Sequence, residues 1–468
     1  MELTPLAGEQ LDILNLPDDR YNYTVLGAAG TGKSLIALHR AMQLQQNHPG
    51  ENIVFITFNR FIAQKLAMTA PNLHVKTFHS FARQVVSDYI KDTEGAMDQR
   101  RFNYVDLSLR RELLSSAIEA VHQQTPNSGF WSKEQFTDSF INDEEQWIEE
   151  NLIVNVEQYL NAPRTGRGYT RINDPADRQI IYAIFKKYLA LIGEKGYFYD
   201  FENISWKLLE VAQNSQQPLI DYLIIDEFQN LTKADLIALA KLTVDEPGRI
   251  MLLGDVAQQL FGRRFSWREL GINHERKQTI QKVYRNTRQI SSLASSIFKN
   301  NPTDEGNEAV DIVNAVNSVR EGPAPLLIHT PQTADIVNRL TTVGQNLARY
   351  GSTLVIINNY RDRKTIISEL RNREIDIHTS NNFKDYNPQK QLFICSTNQL
   401  VGLEFDTVIF AEIDNYTNPQ TNPDAFRTFI HSVYIGLTRA RQNLVMYYMD
   451  PNKLGFLRGS QQYYKVSK

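Results

Sequence analysis

The octapeptide Gly27, Ala28, Ala29, Gly30, Thr31, Gly32, Lys33, Ser34 has the spacing of a loop that cradles a nucleoside triphosphate. Its glycines let successive backbone N–H groups turn inward as an anion-binding nest. A helix opening behind the last glycine adds its own unsatisfied donors and the positive end of its dipole. In this pattern Lys33 reaches the β- and γ-phosphates and the Ser34 hydroxyl holds Mg²⁺. Such a loop needs an acidic counterpart, and YLIIDEFQN supplies one. Asp226 is the candidate metal ligand, direct or through water, and Glu227 the group that orients and activates an attacking water. Gln258, in GDVAQQ, could sense the γ-phosphate through its amide. Gln10 could pair with adenine as donor and acceptor at once, although taken alone it reads as a surface residue. Arg439 could reach across a cleft to the γ-phosphate, with a surface salt bridge as its ordinary alternative. The chemistry these residues share is hydrolysis of ATP with Mg²⁺.

Each of these residues needs an element to hold it. Residues 23–26 read as a strand ahead of the loop, and LIALHRAMQLQQ as the helix behind it. Apolar runs at 53–57, 74–76, 221–225 and 250–253 read as further buried parallel strands. Their C-terminal ends form the rim where ligands bind in open α/β sheets. Thr57, Phe58, Thr77, Phe78, His79 and Ser80 would line it, hydroxyls toward phosphates and aromatics toward bases, or the rings into the core. Phe261, Arg263, Arg264, Phe265 and Trp267 interleave cations with aromatics, which suits single-stranded nucleic acid or a packed surface turn.

Between 91 and 205 the periodicity becomes helical, so this stretch reads as an insertion into the first sheet domain. It carries RTGRGYTR, where Arg164, Arg167 and Arg171 make either a phosphate-gripping or a solvated basic loop. Tyr284 and Arg285 precede a helix. PLLIHT, STLVIINN, EIDIHTS and QLFICST then read as strands alternating with helices, a second α/β unit without a phosphate loop of its own. Glu404 and the pair Arg439 and Arg441 stand just ahead of its last strands, where they could complete the first site.

At 468 residues the chain suggests roughly two to four domains. With 42% hydrophobic and 22% charged residues it has an ordinary globular composition. No apolar run approaches a membrane span, and the N-terminus lacks a basic region followed by an apolar one. One cysteine, Cys395, excludes an intrachain disulfide and a zinc cluster; the expected location is cytoplasmic. A net charge of −3 requires any nucleic-acid path to be a local basic groove.

Taken in order, GAAGTGKS, TFNRFIA, TFHSFA, IIDEFQN, LLGDVAQQLF, VYRNTRQI, STNQLVGLEF and VYIGLTRAR resemble the successive motifs of superfamily 1 helicases of the UvrD/Rep type. The resemblance implies an α/β fold with two RecA-like P-loop NTPase domains built on parallel sheets. Residues 1–90 and 206–280 would form the first, 91–205 its helical insertion, and 281–468 the second. It further implies that Gln10 reads adenine, Tyr284 stacks on it, Glu404 lies near the ribose, Gln258 and Arg285 contact the γ-phosphate, and Arg439 is the arginine finger. Thr57, Phe58, His79 and Asn398 fall where the family touches DNA. Family members move on single-stranded DNA, usually 3′ to 5′, as the two domains close and open around ATP.

This chain departs from the family pattern mainly at DNA positions. Val401 stands where a lysine is common, Asn398 where a histidine is usual, Arg263 near an expected tryptophan, and Asn230 where aspartate is common. Arg285 and Leu403 are 118 positions apart, too few for the large 2B domain that full-size relatives insert there. The leading expectation is an ATP-dependent translocase or helicase on single-stranded or tailed DNA. A rival is an ATP-gated subunit of an assembly whose protein partner, a nuclease or other effector, does the remaining work. A motor on RNA is a third reading, because no residue here is assignable to reading a 2′-hydroxyl.

Overall fold

The computed structural model describes residues 5–17, 19–28, 30–58, 63, 73–94, 105–163, 172–255, 267–301, 317–379, 386–400, 403–416 and 423–467. Two all-parallel sheets dominate it. The first contains β1 (Asn22–Gly27), β2 (Ile53–Thr57), β3 (His74–Thr77), β4 (Tyr222–Asp226), β5 (Ile250–Gly254) and β6 (Glu275–Ile280), in the order β3-β2-β4-β5-β1-β6. Its central strands are apolar at every position because both faces are covered. Phe55 and Ile224 pack toward the helix Lys33–Asn47, while Val54, Ile56, Leu223 and Ile225 pack toward Phe78–Glu94, Ile204–Asn214 and Lys233–Leu242. Each fully buried Ile or Phe contributes about 1.5–3 kcal/mol through removal from water.

β6 is an addition to the expected strands. Its ERKQTI sequence is largely exposed and lacks an apolar signature. It exists because it pairs in register with the whole of β1, from Asn22↔Glu275 to Gly27↔Ile280.

Next come β7 (Lys282–Thr287) and β8 (Asn317–Arg320), which form a two-stranded ribbon. The second large sheet contains β9 (Leu326–His329), β10 (Thr353–Ile356), β11 (Ile377–His378), β12 (Leu392–Cys395), β13 (Phe405–Phe410), β14 (Ala440–Tyr448) and β15 (Lys465–Ser467). Their order is β11-β12-β10-β13-β14-β9-β15. Again the strands alternate between two cores: Leu354, Ile356, Phe393 and Cys395 face one, and Val355, Leu392 and Ile394 the other.

Within 91–205 the described residues form mainly helices, and those between 105 and 192 share a separate core. Leu113, Leu114, Ala117 and Val121 of the helix Leu107–Gln124 meet Ile181, Ile184, Phe185 and Tyr188 of Pro175–Glu194. Inside it lies a buried ionic network. Arg110 binds Asp200 and Tyr188 through one nitrogen and Glu149 at 3.3 Å through the other. Burial pushes the nearby Glu145 carboxyl up to about 8, partly offset by Arg110. Asp200 in turn accepts the N–H groups of Glu202 and Asn203 at 2.8 and 2.7 Å, fixing the turn that presents Phe201. Among the described residues no helix is long and apolar enough to cross a membrane.

Candidate nucleotide site and nucleic-acid rim

β1 ends at the phosphate loop, and the helix Lys33–Asn47 begins immediately after it. Gly32 occupies the cap with φ 88° and, among the described residues, no side chain bonds the first turn, so the helix's opening donors remain available to an anion. The loop is held in shape by its own polar groups. Lys33 Nζ donates to the carbonyls of Gly27 at 2.7 Å and Ala28 at 3.0 Å, and Thr31 Oγ1 donates to Ala28 at 2.9 Å. Lys33 is buried, so its ammonium uses the carbonyls nearest the position a phosphate would take.

Gln10 is buried rather than exposed, at 4% accessibility. Its Nε2 donates to the Thr31 carbonyl at 2.9 Å and its Oε1 accepts the Ala7 N–H at 3.1 Å. Tyr284, more than 270 residues on, donates its hydroxyl to the carbonyl of that same Ala7 at 3.1 Å. The two expected adenine residues thus meet around one short N-terminal segment.

β4 and β5 bring the acidic residues to the same edge, with Asp226 beside Leu253. The Ser34 hydroxyl lies beside Asp226 and favours its ionised carboxylate, whose Oδ2 has no hydrogen-bond partner among the described residues. Burial, then the adjacent Glu227, push the Asp226 carboxyl up to about 7, against the pull of Ser34 and Lys33. An orphaned, buried carboxylate oxygen beside a hydroxyl is a hard-oxygen donor set that fits Mg²⁺. Glu227 sits at φ 56°, a strained conformation for a non-glycine residue. Gln229 holds it there, donating to Glu227 Oε2 at 2.5 Å while accepting the Asp255 N–H at 3.1 Å. Gln229 lay within the DEFQN run, but nothing in its type alone marked it as a bridge between strand ends.

The second wall comes from β7 and the sheet beyond it. Tyr284 and Arg285 donate their N–H groups to the Gly30 carbonyl at 3.0 and 3.2 Å. Arg285 pairs closely with Glu404, and Arg441 reaches the other Glu404 oxygen at 3.4 Å. Burial pushes the Glu404 carboxyl up, but Arg285, Arg441 and Arg439 together hold it below its ordinary value. Arg439 points back into its own unit, donating to Ile435 at 3.1 Å and Leu403 at 3.4 Å, and is buried. In this arrangement it caps the C-terminal carbonyls of the helix Pro423–Leu437.

A second edge feature lies along β2 and β3, whose register sets Thr57 beside Thr77. Thr57 is fully buried, its hydroxyl without a hydrogen-bond partner among the described residues, and Phe58 next to it is exposed. Thr77 Oγ1 accepts the Ser80 N–H at 3.3 Å, and Phe78 is in the core. His79 stacks on Phe201 with centroids 3.8 Å apart and planes 9° from parallel. Burial pulls the His79 imidazole below its ordinary value. Phe201 was not anticipated, because YFYDFEN reads as the tail of a helical stretch; its signal is an exposed ring, visible only in three dimensions. In the second sheet, Thr397 at the end of β12 bonds Asn358 at the end of β10 through both its N–H and hydroxyl, each at 2.9 Å. Ala29, Gln258, Phe261, Arg263, Arg264, Phe265, Val401 and the RTGRGYTR loop lie outside the described residues, as do the side chains of Trp267 and Asn398.

Comparison with known proteins finds similarity to DNA helicases. Residues 6–278 match the UvrD/REP helicase N-terminal domain. DNA helicase II of Salmonella typhimurium is 22% identical over 325 residues, which are 64% of this chain and 41% of that protein. DNA helicase II of Escherichia coli matches to the same extent, at 22% identity and 41% of its length. The chain therefore spans well under half the length of these relatives. A solved C-terminal domain of a possible DNA helicase from Lactobacillus strain WCFS1 aligns over 40% of this chain and 99% of its own, at 20% identity and TM-score 0.29. With the family domain matched across more than half its length, from ahead of the phosphate loop through β6, the chain belongs to the UvrD/REP helicase family.

Proposed function

We propose that this chain is an ATP-dependent translocase or helicase on single-stranded DNA, running 3′ to 5′. The observation that carries the reading is the convergence on Gly30 and Ala7. There a phosphate loop from one sheet meets Tyr284 and Arg285, which lead into the other unit. In this reading, Gln10 and Tyr284 bracket adenine, and the loop N–H groups and Lys33 hold the phosphates. Ser34 and Asp226 would hold Mg²⁺, whose charge screens the phosphate oxygens when bound. Glu227, oriented by Gln229, takes the proton of the attacking water. Gln258, Arg285 and Arg439 stabilise charge on the transferred phosphoryl group, with Glu404 setting Arg285 in place. Arg439 must leave its carbonyl partners to do so, which ties hydrolysis to closure of the two units. Single-stranded DNA would run over Thr57, Phe58, Thr77 and His79, then Arg263, Trp267 and Asn398, with bases stacking on the exposed rings.

The large 2B domain is taken to be absent from this chain, a reading supported by the mere 118 positions that separate Arg285 from Leu403. Duplex contact is therefore assigned to a protein partner, with a nuclease-associated regulatory role as the second reading. The test is ATPase activity with single-stranded DNA, duplex, 3′-tailed, 5′-tailed and RNA substrates across a salt series. Hydrolysis stimulated by single-stranded DNA and abolished by Lys33→Ala supports the reading. A folded Lys33→Ala protein with the wild-type rate overturns it. Strand displacement by the isolated chain removes the purely regulatory alternative.

A further inference from the structure

Asn286 sits one residue beyond the Tyr284 and Arg285 pair and has an unusual division of labour. Its Nδ2 donates to the carbonyls of Thr438 at 2.8 Å and Ala440 at 2.6 Å, the residues on either side of Arg439. Its Oδ1 is buried and accepts no hydrogen bond among the described residues. It faces the phosphate loop so closely that a Cβ on Gly30 would collide with it. Around it the β7–β8 ribbon is irregular: pairing slips between Val283 and Thr287. That slip frees the Tyr284 and Arg285 N–H groups to bind Gly30 instead of β8. The Asn286 carbonyl is separately anchored by the Ser318 hydroxyl.

A side chain needed only to tether β7 to β14 would use its donors and leave its acceptor in water or bonded. Here the acceptor is stranded beside a loop whose Gly27 and Ala28 carbonyls hold the Lys33 ammonium, contacts for which a bound triphosphate would compete. We propose that Asn286 is a positioning residue that couples the state of the phosphate loop to Arg439. It reads the loop through Oδ1 and moves the carbonyls of Thr438 and Ala440, on either side of Arg439, through Nδ2. Arg439 is thereby drawn off the Ile435 and Leu403 carbonyls only when the loop is filled. The inference rests on the ATP-site reading above, and it adds a route by which the two walls of the cleft inform each other.

The test is hydrogen exchange on the full chain, with and without a non-hydrolysable ATP analogue and Mg²⁺, following residues 27–34 and 436–441. In the wild type both segments change, the second by a factor on the order of 5–150, the usual range of coupling between two sites. Asn286→Ala and the isosteric Asn286→Asp should keep the response at 27–34 and lose it at 436–441, with kcat for ATP falling more than KM changes. If analogue protects 27–34 in the wild type but leaves 436–441 unchanged, the coupling is refuted while the ATP site stands. Retention of the 436–441 response in either folded variant also refutes it. No protection at 27–34 in the wild type refutes the ATP-site reading itself, and the inference falls with it.

Discussion

Replacing Gly30 by alanine should damage this protein for a reason the phosphate-loop pattern does not contain. The pattern demands Gly27 and Gly32, whereas the position of Gly30 is free in it. The geometry is not free. Gly30 has φ +81°, and an added Cβ would strike Asn286 Oδ1 and crowd Val283 Cγ1 at 3.2 Å and Arg285 Cβ at 3.3 Å. The backbone conformation alone costs an L-residue about 1–2 kcal/mol. Relief of the collision requires β7 to retreat, which loosens the Tyr284 and Arg285 bonds to the Gly30 carbonyl at about 0.5–1.5 kcal/mol each. Gly50 provides the control, since it has φ +101° and no described atom within 4 Å of the place a methyl would take. Gly50→Ala should lose only the backbone component and keep full ATPase activity. Gly30→Ala should lose about 1–3 kcal/mol more in stability, and its kcat/KM for ATP should drop on the order of 10–100-fold, since tenfold corresponds to about 1.4 kcal/mol. Denaturant melts and steady-state ATPase measure the two. If Gly30→Ala matches Gly50→Ala in both, the contact between the loop and β7 does not hold in solution.

Three further outcomes are expected. Glu145 is raised to about 8 from 4.5, by burial first, with Arg110 opposing and Asp200 adding to the rise; Glu149 faces the same cluster. The unfolded chain therefore ionises more readily, so stability falls as pH rises through this window, by about 5 kcal/mol at most. Glu145→Gln should flatten that fall in urea melts taken between about pH 5 and 8. Arg110→Met leaves Asp200 and Glu149 buried without their cation and should cost about 3–5 kcal/mol in the same melts. Cys395 is buried and its thiol is pushed up by that burial, so a thiol-alkylating reagent should label it only after unfolding, as mass spectrometry would show.

The central strands, the phosphate loop and the helical insertion were readable because each is a local pattern. Residues 53–57 are apolar at nearly every position since both faces of the sheet are covered, and the insertion repeats its apolar residues at helical spacing. What escaped were features that only a distant partner defines. β6 looks like a polar loop, and only β1, some 250 residues earlier, makes it a strand. Gln10 reads as a surface residue until Thr31 and Ala7 enclose it, and Phe201 is one ring among several until His79 lies against it. The same holds inside the site. Lys33, Ser34, Asp226 and Glu227 are recognisable because the chemistry proposed for their side chains constrains residue type. Gly30 and Asn286 act through a carbonyl, an absent methyl and two backbone acceptors, features that leave little mark on a sequence pattern. Coupling between the two units is therefore the part of such a site least legible from motifs. It is also the part most exposed to a single added carbon, because a close-packed contact between a loop and a strand has no slack to absorb one.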